Sequence, residues 1–279
     1  MPYSHIYSDA LKDIKSLEEF WEKDRYEQVT WETGNALICK YLAEPGIVID
    51  LGCGIYPHDN VPHPSSLIGV DISYESLLVA KKNYPKLGLG YVCADSLRLP
   101  LKSSSVQHII AVGELWNHLA HERFLAEMFR VLKLGGIAVF DVSMKLCLYN
   151  IYLFVGSILG MSYAKDIDKR EAWAAIKRPF DSAKMTWRIT PEYKAKVLLP
   201  TSSEVLVAIR RSGFEIVDIF GTVVISDIIP PPLQNLEVRS KSLSSVMQFL
   251  RKLDAYLGGT FPLWRLGGNC FFVVRKSQS

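Results

Sequence analysis

The stretch that decides the fold is Ile47–Gly54, IVIDLGCG, an apolar run that leads directly into an acidic, glycine-rich turn. An apolar run without alternation is typical of a parallel strand covered on both faces. A second such strand, Leu67–Asp71 (LIGVD), ends in an acid. Gly52 and Gly54 allow a ligand to approach the backbone closely, and an acid after the next strand can accept hydrogen bonds from both hydroxyls of a ribose. Together the two motifs predict a site for a nucleoside-containing cofactor.

The connection between these strands argues against a dinucleotide. The dinucleotide fingerprint G-x-G-x-x-G has a third glycine and a helix whose N-terminus binds pyrophosphate. Here the third position is Pro57, and Pro62 and Pro64 follow closely. Three prolines before the next strand leave little room for a regular helix. The sequence therefore favours a cofactor that needs no phosphate-binding helix.

Further elements follow in the same alternating order. A third strand, Tyr91–Asp95, again ends in an acid, and a fourth is predicted at Val106–Gly113. Apolar residues at helical spacing predict a helix from about Asn117 to Leu132, stopped by Gly135–Gly136. A fifth strand is predicted at Ile137–Val142. The pattern is that of an α/β protein with a parallel sheet.

In this order the motifs resemble the class I S-adenosylmethionine-dependent methyltransferases, in particular the small-molecule enzymes called type 11. The resemblance covers about residues 48–142 well and residues 201–221 less strongly. It implies a Rossmann-like, seven-stranded methyltransferase sheet whose last strand is antiparallel, S-adenosylmethionine as the cofactor, and methyl transfer as the reaction. The matching stretches are Asp50–Gly54, Gly69–Ser73, Ala94–Asp95 and Arg130–Gly136.

The resemblance also implies which residues bind the cofactor, all at or after strand ends. They are Asp50, Gly52 and Gly54 for the methionine part, Asp71 for the ribose hydroxyls, Asp95, Ile72 and Ser96 for the adenine, and Gly113 beside the sulfonium. The departure from the family is at Tyr56–Pro57, where relatives commonly have another glycine and then a helix.

Methyl transfer is an in-line displacement, so an enzyme must align the reacting atoms, exclude water and, for some acceptors, remove a proton. The resemblance implies Glu114 beside the acceptor. His118 is the best candidate base, since a neutral imidazole accepts a proton near pH 7. A histidine with only structural contacts is the alternative, and His58 and His63 are further candidates. No spacing predicts a metal site.

Two insertions interrupt the core that the resemblance predicts. The core comprises residues 1–142, 201–221 and 269–279, with a helix at Ser202–Arg211, a sixth strand at Phe214–Phe220 and a final strand at Asn269–Val274; the insertions are residues 143–200 and 222–268. The second contains Pro230–Pro232 and a predicted helix, Leu236–Leu257, that covers the site or forms a homodimer contact. An N-terminal helix is predicted from about Ser16 to Tyr41.

The first insertion has a long apolar run, Leu146–Met161, which is shorter than the ~20 residues that span a bilayer. It is interpreted as a buried cap helix, with an apolar pocket wall or a segment that contacts a membrane surface as alternatives. A helix is predicted at Asp168–Lys177. From Lys165 to Lys196 there are nine Lys/Arg and five Asp/Glu. A solvated helical surface is favoured here, with binding to an anionic substrate or membrane as alternatives.

The cysteine content and the N-terminal sequence indicate in which compartment the protein is found. Five cysteines without C-x-x-C spacing do not predict a disulfide framework or a zinc site, and residues 1–15 lack the apolar run of a signal peptide. We therefore expect a cytoplasmic protein.

The leading hypothesis is a methyltransferase for a small, apolar or amphiphilic acceptor. One alternative is an RNA methyltransferase that uses the basic insertion. Nucleic acid is not favoured, because Gly113–Trp116 does not match the Asn/Asp-Pro-Pro-aromatic motif of enzymes that methylate base amino groups. The other alternative is a cofactor-binding protein without catalysis.

Overall fold

The computed structural model describes residues 25–84, 90–119, 121–165, 167–188, 194–226, 229 and 240–277. The elements in chain order are α1 (Arg25–Tyr41), β1 (Ile47–Leu51), β2 (Ser66–Asp71), α2 (Tyr74–Asn83), β3 (Gly90–Cys93), β4 (Val106–Ala111), α3 (Leu115–His118), α4 (His121–Val131), β5 (Leu132–Ser143), α5 (Leu148–Leu159), α6 (Lys169–Lys177), β6 (Ala183–Arg188), β7 (Lys194–Leu199), α7 (Ser202–Arg211), β8 (Phe214–Thr222), α8 (Lys241–Leu257) and β9 (Asn269–Lys276). Short 3-10 helices occur at Ser162–Ala164 and Leu263–Leu266.

Seven strands form one sheet in the order β3-β2-β1-β4-β5-β9-β8. The first five strands pair in parallel, with Asp50 opposite Gly69 and Asp71 opposite Cys93. The last strand, β9, is antiparallel, which confirms the predicted Rossmann-like methyltransferase sheet. Because the carboxyl ends of parallel strands meet at one edge of a sheet, the residues that follow β1, β2, β3 and β4 are placed close together.

The chain divides into two compact units. The first comprises the described residues up to Asp141, together with Val207–Asp218 and the described residues from Phe272 onward. Its interior contains a row of rings in which Trp116 stacks on Phe140 (5.4 Å between centroids) and Phe140 stacks on Phe272 (5.6 Å). These rings are nearly or fully buried, so burial of large aromatic groups stabilises this unit.

The second unit comprises Val142–Leu206 and Ile219–Phe271. One face of α5 packs on α6 and on the β6–β7 hairpin in an apolar cluster that includes Leu153, Phe154 and Met185. The hairpin is antiparallel, with Ala183 opposite Leu199. The interpretation of residues 165–196 as a solvated helical surface is therefore wrong for this part, because Ala183 and Met185 of β6 are buried while Lys184 between them is exposed, as expected of a strand.

The glycine stop of the helix after β4 was also placed wrongly. Helix α4 ends at Val131, and β5 begins at Leu132. Gly135 lies inside that strand with φ +77°, near a shift in the register between β4 and β5. Part of the predicted N-terminal helix (residues 16–24), Pro230–Pro232 and residues 236–239 lie outside the described residues. Within the described part of the chain, no helix has the length and apolar composition needed to cross a membrane.

Candidate functional site

The glycine turn after β1 adopts the backbone that its sequence requires. Gly52 and Gly54 have φ +69° and +53°, in the left-handed region that side chains disfavour. The Gly52 N–H donates to the Val70 carbonyl at 2.7 Å, which ties the turn to β2. A Cβ at Gly54 would meet no atom within 4 Å, so this side of the turn is open to a ligand.

Asp71, at the end of β2, is oriented by the same turn. One of its carboxylate oxygens accepts from the Gly54 N–H at 2.9 Å, and the other accepts from the Ser73 N–H at 2.8 Å. Each carboxylate oxygen keeps a further lone pair, so both can still accept from the hydroxyls of a ribose. Burial raises the pKa of Asp71, and its two backbone N–H bonds oppose that shift.

The end of β3 lies beside Asp71. The Ala94 N–H donates to the Asp71 carbonyl at 2.9 Å, and the Asp95 carboxylate accepts from the Leu97 N–H at 2.8 Å, which fixes a turn. Ser96 is buried and Ile72 is half-buried. The structure thus brings Ile72, Asp95 and Ser96, which the sequence predicted for adenine, next to the ribose candidate.

The connection from β1 to β2 is a loop, and residues 52–65, all described, contain no helix. This agrees with the effect expected of the three prolines. A buried pair holds the loop: the fully buried Asp50 accepts from the His58 N–H at 2.8 Å and lies 3.2 Å from its ring Nδ1. These two contacts hold the imidazole ring and the loop backbone in one orientation.

Helix α1 covers this loop with residues spaced four apart. The Trp31 ring stacks on His58 with 4.2 Å between centroids. Asn60 of the loop donates to the Asn35 carbonyl at 3.4 Å and contacts the Cys39 sulfur. The helix therefore takes the place of the missing crossover helix as the support of the glycine turn. His63, by contrast, is exposed.

A second pinned turn follows β4. Gly113 and Glu114 both have positive φ, +107° and +60°. A single oxygen of Asp141 accepts from both of their N–H groups, at 2.9 and 3.0 Å. Asp141 is fully buried near the end of β5, so it orients this turn from the protein interior. Sequence reasoning missed it, although an acid inside the apolar strand Ile137–Val142 was a usable signal.

His118 ends the short helix α3 that starts directly after Glu114. Burial lowers the pKa of His118, which keeps its imidazole neutral near pH 7. The neighbouring Trp116 is locked between His121 and Phe140, with 5.4 Å between centroids on each side. Both predicted catalytic residues, Glu114 and His118, therefore lie on one rigid segment at the end of β4.

The residues present fit S-adenosylmethionine. Three acids lie at or near the carboxyl ends of three adjacent strands, open space lies beside Gly54 and Gly113, where a Cβ would meet nothing within 4 Å, and no helix end is set to bind phosphate after β1. The cofactor's ribose, adenine and sulfonium need these polar groups and need no phosphate site.

Comparison with known proteins agrees with this geometry. The methyltransferase domain family model Methyltransf_11 matches residues 49–140. An uncharacterized protein of Methanocaldococcus jannaschii is 28% identical over 255 residues, which cover 90% of this chain and 87% of that protein. The malonyl-[acyl-carrier protein] O-methyltransferase of Marinomonas sp. is 32% identical over 105 residues, which cover 36% of this chain and 39% of that enzyme.

A solved structure shares the fold at low identity. The 1,6-didemethyltoxoflavin-N1-methyltransferase of Burkholderia thailandensis, with bound S-adenosylhomocysteine and 1,6-didemethyltoxoflavin, superposes with a TM-score of 0.56 at 12% identity, covering 99% of this chain and 90% of that one. The fold, the site and the family match together place the chain among the class I S-adenosylmethionine-dependent methyltransferases. It is an enzyme of this class, and its cofactor is S-adenosylmethionine.

Proposed function

We propose that the enzyme methylates a small, apolar or amphiphilic acceptor. One observation carries the acceptor class. Of the seventeen large apolar side chains that are exposed among the described residues, twelve lie in the second unit and five in the unit that contains the cofactor site. Exposed apolar side chains that are concentrated in one part of a protein mark a site where apolar molecules or surfaces bind.

The cofactor-binding residues contact different chemical groups of S-adenosylmethionine. Bound S-adenosylmethionine supplies an electrophilic methyl group. Asp71 accepts from the ribose hydroxyls, while Asp95, with Ile72 and Ser96 beside it, holds the adenine. Gly52 and Gly54 admit the methionine part to the turn. Asp50 acts through His58, because their hydrogen bonds fix the loop that carries the turn.

The acceptor side is the segment Gly113–His118. Gly113 leaves space beside the sulfonium, and Asp141 holds the Gly113–Glu114 turn in one orientation. Glu114 contacts the acceptor. His118, kept neutral by burial, takes the proton when the attacking atom of the acceptor carries one. We further propose that residues 143–200 and 222–268 are insertions into a core of residues 1–142, 201–221 and 269–279.

The test is methyl transfer from radiolabelled S-adenosylmethionine to matched panels of acceptors. One panel holds phenols, quinols and hydroxylated acyl compounds, another holds polar amines and nucleosides, and a third holds RNA. Turnover confined to the first panel supports the proposal, whereas turnover confined to either of the others overturns it.

The roles at the β4 end are tested with the substrate so identified. We expect His118→Asn to lower kcat by about a hundredfold and to remove the acidic limb of the pH–rate profile, since general base catalysis contributes about 10²–10⁴. Cofactor affinity stays within about twofold. An unchanged pH–rate profile would assign His118 a structural role only.

A further inference from the structure

We propose that the exposed side of helices α5 and α6, here called the α5–α6 face, docks on an anionic lipid surface. The face displays seven large apolar side chains, each at least 39% exposed. They are Ile151, Val155, Leu159, Met161, Trp173, Ile176 and Phe180. These seven are among the twelve exposed apolar side chains of the second unit that support the acceptor proposal, but the docking requires no particular methyl acceptor.

Helix α5 has the design of a helix that lies along an interface. Ile151, Val155 and Leu159 are spaced four apart, so they form one exposed stripe. The opposite side of the helix, with Leu153 and Phe154, is already buried in the apolar cluster of its own unit. Twelve residues rise only about 18 Å, short of the roughly 30 Å hydrocarbon core, so α5 lies on a bilayer and does not cross it.

Basic side chains surround the apolar stripe. Five lysines and arginines from Lys165 to Arg178 are exposed: Lys165, Lys169, Arg170, Lys177 and Arg178. The Lys169 ammonium lies near the C-terminal end of α5, 3.5 Å from where a Cβ of Gly160 would be. The Lys177 ammonium lies over the Trp173 ring at 5.1 Å. Tryptophan and lysine side by side suit the boundary between acyl chains and headgroups.

Acidic groups on this segment reduce its positive charge but do not cancel it, since residues 165–181 contain five Lys/Arg and four Asp/Glu. Asp168 caps the N-terminus of α6 by accepting from the Arg170 and Glu171 N–H groups. Glu171 binds the backbone N–H and the hydroxyl of Thr186 at 2.6 and 2.8 Å. Asp181 is the remaining exposed acid among the described residues of this segment. The face therefore keeps a positive excess, which an anionic surface complements.

The most exposed apolar residue of the face is held in place. Phe180 is 84% exposed at a turn after α6. Lys145, with 1% of its surface exposed, extends beneath this turn and donates to the Arg178 carbonyl and, at 2.5 Å, to the Asp181 carbonyl. A buried ammonium that binds both ends of the turn fixes the backbone on either side of Phe180, whose ring is exposed to solvent.

The same charges argue against a second copy of the chain as the occupant. In a symmetric dimer the same surface meets itself, so the basic rim would face an identical basic rim. Like charges brought together at an interface oppose association. An anionic lipid surface offers apolar acyl chains to the stripe and negative headgroups to the rim.

The experiment is co-sedimentation of the full chain with phosphatidylcholine vesicles in which about a third of the lipid is phosphatidylglycerol. We expect binding that weakens with added salt and that is much weaker on pure phosphatidylcholine. The double variant Leu159→Ser/Phe180→Ser should bind at least about tenfold more weakly, because two side chains lose their transfer out of water. Lys169→Gln/Arg170→Gln should weaken binding about fivefold per residue.

The matched control is Leu78→Ser on α2, which removes an apolar side chain that is 51% exposed on the first unit. Its vesicle binding should equal that of the wild type, and all variants should retain S-adenosylhomocysteine binding, which reports a folded cofactor site. Equal loss in Leu78→Ser would overturn the proposal, as would binding that is indifferent to lipid charge. A wild-type dimer that Leu159→Ser/Phe180→Ser converts to a monomer would also overturn it, assigning the face to a second copy.

Discussion

Asp71 shows at the scale of one residue how backbone hydrogen bonds orient a side chain of the cofactor site. Its carboxylate already accepts two backbone N–H groups, one from the glycine turn and one from the start of α2. Those bonds favour the ionised form of the carboxylate and fix its orientation, whereas burial raises its pKa. A carboxylate in this balance is sensitive to pH.

We therefore predict that S-adenosylhomocysteine binding weakens on acidification at a higher pH than an ordinary aspartate would cause. Protonation removes an acceptor for the ribose hydroxyls, and the raised pKa of Asp71 moves that loss upward. Because the pKa of Asp71 is raised in the folded protein, the folded state binds a proton at Asp71 more readily than the unfolded chain does. Asp71 therefore favours folding at low pH, and this contribution to stability is lost as the pH rises through the folded pKa.

Calorimetric titration with S-adenosylhomocysteine at several pH values measures the effect, and Asp71→Asn is the control. The variant should bind at least about tenfold more weakly at neutral pH, since two charge-assisted hydrogen bonds are lost. Its affinity should no longer depend on pH in the acidic range. A variant with unchanged affinity would remove Asp71 from the cofactor site.

Asp141 acts on backbone rather than on ligand. We predict that Asp141→Ala destabilises the fold by about 2 kcal/mol, because it strips the N–H groups of Gly113 and Glu114 of their acceptor. Asp141→Asn keeps an oxygen there and should lose less. Urea unfolding gives the free energies. Equal stability of all three proteins would show that the turn after β4 does not depend on this carboxylate.

At the scale of elements, the loop between β1 and β2 is supported by α1 and the Asp50–His58 pair. We predict that His58→Ala lowers the free energy of unfolding by about 2–4 kcal/mol and weakens cofactor binding severalfold. The reason is that the buried Asp50 loses its contact with the imidazole and keeps the backbone N–H of residue 58, while the Trp31 ring loses its stack. Calorimetry and urea unfolding measure both effects.

His63→Ala is the matched control for that loop. It changes the same residue type in the same connection, but at an exposed position. Its stability and affinity should stay at wild-type values. If both histidine variants behaved alike, the Asp50–His58 pair would not be the support of the glycine turn.

The β6–β7 hairpin also allows a prediction at the scale of elements. It is tested by comparing substitutions at a buried and an exposed position that are neighbours in β6. Met185 is 1% exposed and faces the apolar cluster, whereas its neighbour Lys184 is exposed. We predict that Met185→Ala costs about 2–4 kcal/mol in urea unfolding, since it leaves a cavity, while Lys184→Ala stays within about 0.5 kcal/mol. Similar losses for both would contradict the hairpin's register.

At the scale of the whole molecule, the site gathers segments that are far apart in sequence. We predict that S-adenosylhomocysteine slows amide hydrogen exchange in four separate stretches: residues 50–58, 69–73, 94–98 and 113–118. These follow four strands whose carboxyl ends meet at one sheet edge. Protection limited to one stretch, or confined to residues 142–206, would place the cofactor elsewhere. The untreated protein serves as the reference.

The sequence by itself determined the sheet, because apolar strands that end in glycines or acids carry their pattern locally. Asp50, Asp71 and Asp95 were predicted this way, and helix α7 runs from Ser202 to Arg211 as predicted. Motif spacing also gave the class of cofactor, since the prolines after Gly54 remove the helix that a pyrophosphate needs.

Only the tertiary structure decided which partners those residues have. Asp141 meets the turn after β4 across 27 and 28 residues of sequence, and Trp31 of helix α1 meets His58 in the loop after β1. No local periodicity encodes such contacts. The hairpin had a local signal that the prediction did not use, since polar and apolar residues alternate in Ala183–Arg188, but its pairing with Lys194–Leu199 becomes visible only when the opposite strand is in place.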